Sequence, residues 1–340
     1  MAHEASAGGV TNTSKSPTVG VIVPMYNARR TIEETLVSIC GQTYRSLDIV
    51  VIDDGSCDGS GDLVEACAQQ DARIRLIRQT NAGVAAARNL GAASTDAPFL
   101  AFVDADDIWA PDKIAAQMER LAEEDSAPAV VYCWFAQIDA QSRVFPNGQH
   151  RIIEGDVFRR LCRDNFVGNG SSMLMPREIF NRVGGFDSSL HEQRAQGCED
   201  LMFLLAAARN YPFKLVPRCL VGYRLTHENM SSDTSQMLRS FEIVADRFGQ
   251  ELPQFSEEWD AHRRDLIVWL ARRAAMAGRM REALGLWRKL RPKHADRARE
   301  MLPNLTRLYV RSTLIPKWVK TTATQARLRE RLPSYLDKTW

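Results

Sequence analysis

Phe99-Leu100-Ala101-Phe102-Val103-Asp104-Ala105-Asp106-Asp107-Ile108-Trp109 is the stretch whose reading decides the fold. A short apolar run, with the length and the β-branched and aromatic content of a buried strand, ends abruptly in three carboxylates. The acids therefore stand where a strand leaves its sheet. In open α/β sheets ligands bind at that edge, the carboxyl ends of the strands. Carboxylates this close repel one another unless a cation or hydrogen-bond donors lie between them. A hard divalent cation takes such oxygen ligands and shares them with a phosphate-bearing substrate. The competing reading is an acidic start to the helix near Pro111, with Asp107 or Asp112 as its cap.

The flanking sequence favours the α/β reading. Residues 19–25 read as a first buried strand, 30–41 as a helix with Ile32, Leu36 and Ile39 on one face, and 47–52 as a second strand ending in Asp53-Asp54-Gly55-Ser56. A helix over 60–70, a strand over 74–78, a turn at Asn81-Ala82-Gly83 and an Ala-rich helix over 84–93 lead into the opening run. Strands alternating with helices imply a parallel sheet with right-handed crossovers, which sets both acidic clusters on one sheet edge. Beyond 111 the pattern is mixed. Helices are expected to about 124 and over 156–162, 177–183 and 199–208, and strands over 129–138, 170–175 and 215–223. From 235 onward everything reads as helix. Leu266, Trp269 and Leu270, then Met280, Ala283, Leu284 and Trp287, mark two amphipathic segments of a hairpin about Gly278.

Hydrophobic content of 45% and charged content of 25% over 340 residues suit a soluble globular chain of one large or two modest domains. The net charge of +2 hides an asymmetry: residues 261–340 hold 20 Lys and Arg against 6 Asp and Glu, or +14, leaving −12 in residues 1–260. An acidic catalytic part and a tail that meets something anionic follow from this. Trp269, Trp287, Trp318 and Trp340, with Lys317, Lys320, Arg327, Arg329 and Arg331, suit an anionic membrane surface; complementing the acidic part is the alternative use of that charge. Nucleic acid is not expected, because the basic residues alternate with apolar ones on helices. The seven cysteines are odd in number and form no CxxC pair, as expected of buried thiols in a reducing compartment. No apolar run reaches the roughly 18 residues of a membrane span. Residues 1–18 lack an apolar signal-peptide core and read as a disordered leader. The expectation is a cytoplasmic protein, peripheral at the inner face of the membrane, with a leader (1–18), a catalytic domain (19–230) and a basic helical extension (231–340).

Six segments in order resemble the family 2 glycosyltransferases: Val21-Ile22-Val23-Pro24-Met25-Tyr26-Asn27, Val51-Ile52-Asp53-Asp54-Gly55-Ser56 with Asp58-Gly59-Ser60, Asn81-Ala82-Gly83 through Ala87-Arg88-Asn89, Asp104-Ala105-Asp106-Asp107, Gly184-Gly185-Phe186-Asp187 and Glu199-Asp200. The resemblance covers roughly residues 19–225. It implies the GT-A fold, a Rossmann-like mixed sheet flanked by helices, with an all-helical C-terminal extension outside it. It also implies a nucleoside-diphosphate sugar donor, with a UDP-sugar favoured, and a glycan or lipid-linked glycan acceptor. Pro24, Tyr26, Asp53, Asp54, Asn81, Gly83, Arg88, Asp104 and Ala105 would contact the nucleotide sugar. Tyr26 offers a ring to stack on the base; turn packing is its alternative. Asp53 or Asp54 offers a carboxylate to a uracil imide, with Asp54 favoured by the resemblance and turn capping as the alternative. Asp106 would hold Mg²⁺ or Mn²⁺, with His227 as a further ligand. Asp200 would be the general base, positioned by Glu199, and its helix N-terminus is expected to keep its pKa low. A sugar nucleotidyltransferase is the rival enzyme, but its usual Gly-rich basic phosphate loop is replaced here by Pro-Met-Tyr-Asn. A non-catalytic nucleotide-sugar-binding or scaffold protein is the rival of another class; no acid is missing from the metal or base motif to favour it.

Overall fold

The computed structural model describes residues 16–123, 127–145, 150–225, 230–290 and 295–313. The first half alternates as expected: β1 (Val19–Met25), α1 (Ile32–Cys40), β2 (Leu47–Asp53), α2 (Ser60–Gln70), β3 (Ile74–Arg78), α3 (Val84–Ala93) and β4 (Phe99–Phe102). There follow β5 (Ile108–Trp109), α4 (Lys113–Ala122), β6 (Val130–Ile138), α5 (Phe158–Arg163), β7 (Met173–Pro176), α6 (Arg177–Val183), α7 (Ser189–Glu192), α8 (Glu199–Ala208) and β8 (Phe213–Arg224). Pro17 and Thr18 already lie against the sheet, through Tyr44 Oη on the Pro17 carbonyl (2.5 Å) and a Thr18–Ser46 hydroxyl pair (3.1 Å).

The strands form one sheet in the order β3-β2-β1-β4-β7-β6-β8-β5. β3, β2, β1 and β4 are parallel, as the βα alternation requires. β7 then runs antiparallel between β4 and β6, so the sheet is mixed rather than wholly parallel. Two departures from the sequence reading matter for the site. Residues 170–172 form a 3-10 turn rather than the start of a strand. Ile108 and Trp109 are a two-residue strand, pairing antiparallel with Gly222 and Val221 of β8. That strand is too short to carry a periodicity; it exists because a buried partner lies beside it.

Apolar side chains cover both faces. Ile32, Leu36 and Ile39 of α1 with Ile114 of α4 pack on one face. Ala85 of α3, Leu161 of α5, Ile179 of α6 and Leu201 and Leu204 of α8 pack on the other. The C-terminal helices are α9 (Thr234–Glu251), α10 (Ser256–Met276), α11 (Met280–Leu290) and α12 (Ala295–Thr313). Phe241, Val244 and Phe248 of α9 and Trp259 of α10 join the second core, so residue 230 marks no gap in packing. Leu270, Ala274, Ala283, Leu286 and Leu305 make a separate small core of the hairpin and α12. Among the described basic residues here, Arg263 pairs with Glu242 and Asp260, Arg264 with Asp265, and Arg279 with Glu282. Part of the +14 is thus answered within the fold. Lys317, Trp318, Lys320, Arg327, Arg329, Arg331 and Trp340 lie outside the described residues. No helix among the described residues is long and apolar enough to cross a membrane.

Lys113, the first residue of α4, is fully buried. Its Nζ stands 3.8 Å from the centroid of the Trp109 ring and has no hydrogen-bond partner among the described residues. Burial pushes the amine down to about 7 from its ordinary 10.5. An unfolded chain keeps the proton up to the ordinary value, so between those pH values it binds more protons than the native state and stability rises with pH. Lys113→Met is expected to raise stability by about 1–2 kcal/mol at neutral pH, by removing a buried polar group that has no hydrogen-bond partner among the described residues. It should also flatten the dependence of the urea midpoint on pH between 7 and 10. A wild-type midpoint that does not rise over this range contradicts the buried neutral amine.

Candidate active site

The site lies at the carboxyl ends of β2, β1 and β4, which are neighbours in the sheet. The loops after β1 and β2 are tied together. Asn27, at a left-handed φ of 50°, accepts from the Cys57 N–H at 2.9 Å. Ser56 Oγ accepts from Asn27 N–H, Ser60 Oγ from Ala28 N–H and Asp58 Oδ2 from Arg29 N–H, each at 2.9 Å. This frame leaves Tyr26 55% exposed, as a stacking ring requires. Pro24 is buried within β1 opposite Ile52 and forms floor rather than wall. Asp53 Oδ1 accepts from Ser56 N–H (2.8 Å). Asp54 is occupied within the fold: its carboxylate accepts from Gln79 Nε2 (2.6 Å), Ala82 N–H (2.8 Å) and Gly83 N–H (2.9 Å). Asn81 Nδ2 donates to the Asp54 carbonyl (2.9 Å). Both aspartates thus do the turn-capping work that sequence offers as their alternative. Gly83, at φ +88°, lies beneath His191 and Gln196; a Cβ there would stand 2.8 Å from both side chains. Its freedom serves that close approach.

The three acids after β4 have three different environments. Asp107 is fully buried and caps no helix, which corrects its expected role. It accepts from Ser171 Oγ at 2.5 Å and from the Arg224 N–H at 2.9 Å. The helix cap is Asp112, and even its side chain makes no capping bond; it pairs with Arg218. Asp104 pairs with Arg88 Nη2 at 2.5 Å, and its N–H donates to Ser171 Oγ at 3.0 Å. Asp106 is half-buried. Burial first, then the Asp104 charge, pushes its carboxyl up to about 7, with Arg224 working against them. Burial and then Asp106 and Asp104 raise Asp107 as well. Ala105 is buried, its carbonyl accepting from Thr35 Oγ1 at 3.1 Å.

Arg88 is buried, so it is a support for the site more than a wall of it. Burial works against its charge, but the Asp104 carboxylate, then Asp200 and Glu199, outweigh it and keep the guanidinium firmly protonated. Asp200, the second residue of α8, lies within the field of that guanidinium. The helix N-terminus does not win at Asp200: burial raises its pKa despite Arg88, which corrects the expected low value. Asn165 Nδ2 stands 3.5 Å from Asp200 Oδ2. Glu199 is buried and accepts from Gly197 N–H at 2.8 Å, ordering the turn before α8.

Sequence reading did not assign Arg224, Ser171 or Glu34 to the site. Arg224 donates to the carbonyls of Asp106 (2.6 Å) and Asp139 (2.9 Å) and pairs with Glu34 at 2.7 Å. Its signal was present: an arginine at the end of an apolar strand is buried only with partners. His227 lies outside the described residues. Among those residues no group of three or more His, Cys, Asp or Glu side chains could hold a metal ion. The Asp104–Asp106 pair still fits Mg²⁺ or Mn²⁺, since such a cation relieves their repulsion and draws its remaining ligands from phosphate and water. A separate groove of about 820 Å³ lies toward the far end of α8, lined by Arg182, Arg209, Tyr211 and Arg247 among others, and none of the acids above faces it.

The profile of glycosyl transferase family 2 matches residues 20–184. The putative teichuronic acid biosynthesis glycosyltransferase TuaG of Bacillus subtilis (strain 168) is 36% identical over 223 residues, covering 65% of this chain and 84% of that protein. Of three other curated relatives it matches, the chain spans less, 55–63% of their length. S. aureus TarS 1-349, solved in complex with UDP-GlcNAc, superposes with a TM-score of 0.57 at 16% identity, over 92% of this chain and 88% of that one. The mannosyltransferase PcManGT from Pyrobaculum calidifontis, solved with GDP-Man and Mn²⁺, gives 0.56 at 22%, over 93% and 86%. At these identities the likeness is one of fold, and the fold is GT-A.

Arg88→Met is expected to lower stability by about 3 kcal/mol, because removing one partner strands the carboxylates gathered about the other. Urea denaturation checks this. A variant that melts like the wild type but loses nucleotide affinity would make Arg88 a ligand contact instead.

Proposed function

The chain belongs to the family 2 glycosyltransferases, and from that premise we propose that it moves a sugar from a nucleoside-diphosphate sugar, a UDP-sugar, to an acceptor hydroxyl with inversion. The acceptor is a glycan or lipid-linked glycan in the synthesis of a cell-surface polysaccharide or glycolipid. The observation that carries this reading is buried Arg88, which pairs with Asp104 at 2.5 Å and feels the charge of Asp200, at the sheet edge that also bears Tyr26. The biosynthetic role named for TuaG, and the donors bound to TarS and PcManGT, support the reading.

Asp200 takes the proton from the acceptor hydroxyl as that oxygen attacks the anomeric carbon. The bond from that carbon to the diphosphate oxygen breaks on the opposite face, so the configuration inverts. Tyr26 stacks on the base, and Asp53 and Asp54 fix the loops that present it. Asp104, held by Arg88, faces the ribose side. Asp106 would hold a divalent cation, which when bound would neutralise charge on the departing diphosphate. The raised pKa of Asp200 suits a base, which transfers protons best when its pKa approaches the working pH. The chain acts in the cytoplasm, and its basic C-terminal end attracts it to an anionic membrane surface.

Asp200→Asn is expected to leave donor affinity within about threefold of wild type and to lower turnover about 10²-fold or more. Wild-type turnover should fall as pH drops through the raised Asp200 value, because the ionised base is lost; the variant lacks that limb. Calorimetry and nucleotide release measure the two quantities. Loss of donor binding in this variant refutes the role of base. Asp106→Ala should abolish metal-dependent turnover while the melting temperature survives; undiminished turnover of the wild type in excess EDTA refutes the metal.

A further inference from the structure

The turn that presents Asp200 is held from outside the catalytic sheet, by α9. That helix starts under a side-chain cap: Asp233 Oδ1 accepts from the Ser235 and Gln236 N–H groups at 3.1 and 2.9 Å. Phe241, Val244 and Phe248 fix it in the core that also holds α8. Its first two turns meet residues 194–198 at four points. Ser240 Oγ accepts from the Cys198 N–H at 3.0 Å. Arg239 Nη1 donates to the Arg194 carbonyl at 3.4 Å, and Gln236 Nε2 to Gln196 Oε1 at 3.5 Å. Gly197, at φ +127°, lies so close to Met237 that a Cβ there would stand 2.5 Å from its Sδ. The same loop also reaches the turn after β3, where Gln196, with His191 before it, covers Gly83.

Of these contacts the Ser240 bond is the one nearest the base. The first N–H groups of a helix have no partner within it. α8 begins on Cys198, whose own side chain makes no capping bond. The backbone there is answered group by group: Gly197 N–H by Glu199 Oε2 at 2.8 Å, Cys198 N–H by Ser240 Oγ, and Leu201 N–H by Asp200 Oδ1 at 2.7 Å. The last of these engages Oδ1 of Asp200, so Oδ2, 3.5 Å from Asn165 Nδ2, is the oxygen that faces outward to an acceptor hydroxyl. Ser240 is fully buried. Without its oxygen the Cys198 N–H is stranded, and the start of α8 must shift to find another acceptor.

We propose that Ser240 is a positioning residue for the transfer: by holding the Cys198 amide it sets where Asp200 stands when the acceptor hydroxyl gives up its proton. This rests on the assignment of Asp200 as base given above. α9 lies beyond the residues that the family profile matches, so a part of the chain outside the profile completes the catalytic turn. Ser240 acts only through the base, and its loss shows in the chemical step rather than in donor binding.

The test is a double-variant cycle in the full chain: Ser240→Ala, Asp200→Asn and the two together. Affinity for UDP or GDP, whichever the wild type binds, is read by calorimetry; kcat and donor KM are read by nucleotide release, well below each melting temperature. Ser240→Ala should lower kcat about 10- to 100-fold, the effect of a misplaced reacting group, with nucleotide affinity and donor KM within about threefold of wild type. In the Asp200→Asn background the same change should cost less than about twofold, because no base remains for it to position. A merely structural serine would cost the same factor in both backgrounds. Gly197→Ala, which pushes the same loop off α9, should repeat the loss of kcat. In the wild type the Cys198 amide should exchange slowly with deuterium, a readout that needs no variant to fold. Wild-type kcat in Ser240→Ala (or in Gly197→Ala, should Ser240→Ala not fold), an equal loss in both backgrounds, or a rapidly exchanging Cys198 amide overturns the proposal. An Asp200→Asn variant with undiminished turnover, or one that no longer binds the nucleotide, defeats the assignment of the base itself, which is a different result.

Discussion

Crowding of negative charge at the end of β4 is the constraint on which the rest of this structure depends. Asp104, Asp106 and Asp107 leave the sheet within four residues, and each must be answered for the loop to hold. Asp107 is answered by Ser171 and the Arg224 amide, Asp104 by Arg88. Asp106 is raised to about 7, by burial first and then by the Asp104 charge. The backbone bonds of this turn recruit α1 through Thr35, β8 through Arg224 and the 3-10 turn through Ser171. A single acid-rich corner therefore joins parts of the chain more than 100 residues apart.

That corner also connects stability to chemistry. Arg88 stands in the field of Asp104, Asp200 and Glu199, so one buried cation answers acids from the end of β4 and the start of α8 together. Buried pairs of this kind contribute little net stability but are costly to break. The C-terminal helices extend the same fold: Phe241, Val244 and Phe248 of α9 pack into the core that holds α8.

The alternation of strands and helices through β4 was legible because each element has its own periodicity and its own turn residues. The six ordered segments carried the family, and the acidic corner was legible as an abrupt end to an apolar run. What was not legible depends on distant partners. β5 is two residues long and exists through β8; the mixed sheet was implied by the family resemblance, but which strand reverses, β7 beside β4, was not. The burial of Asp107 rests on Ser171 and Arg224, 64 and 117 residues away. For Asp200 the local helix N-terminus pointed to a low pKa, and desolvation by the surrounding fold reversed it. Asp53 and Asp54 offered base recognition or turn capping in sequence; the geometry displays the capping, through contacts with Ser56, Gln79, Ala82 and Gly83.

The central claim is that the acidic corner is completed by a cation and a nucleoside diphosphate together. Anomalous diffraction from crystals grown with Mn²⁺ and UDP tests it most directly. The account predicts one strong manganese peak at the Asp106 carboxylate, bridged to the diphosphate, with the uracil ring against Tyr26. Manganese and nucleotide bound elsewhere, for instance in the groove lined by Arg182, Arg209 and Arg247, would contradict it.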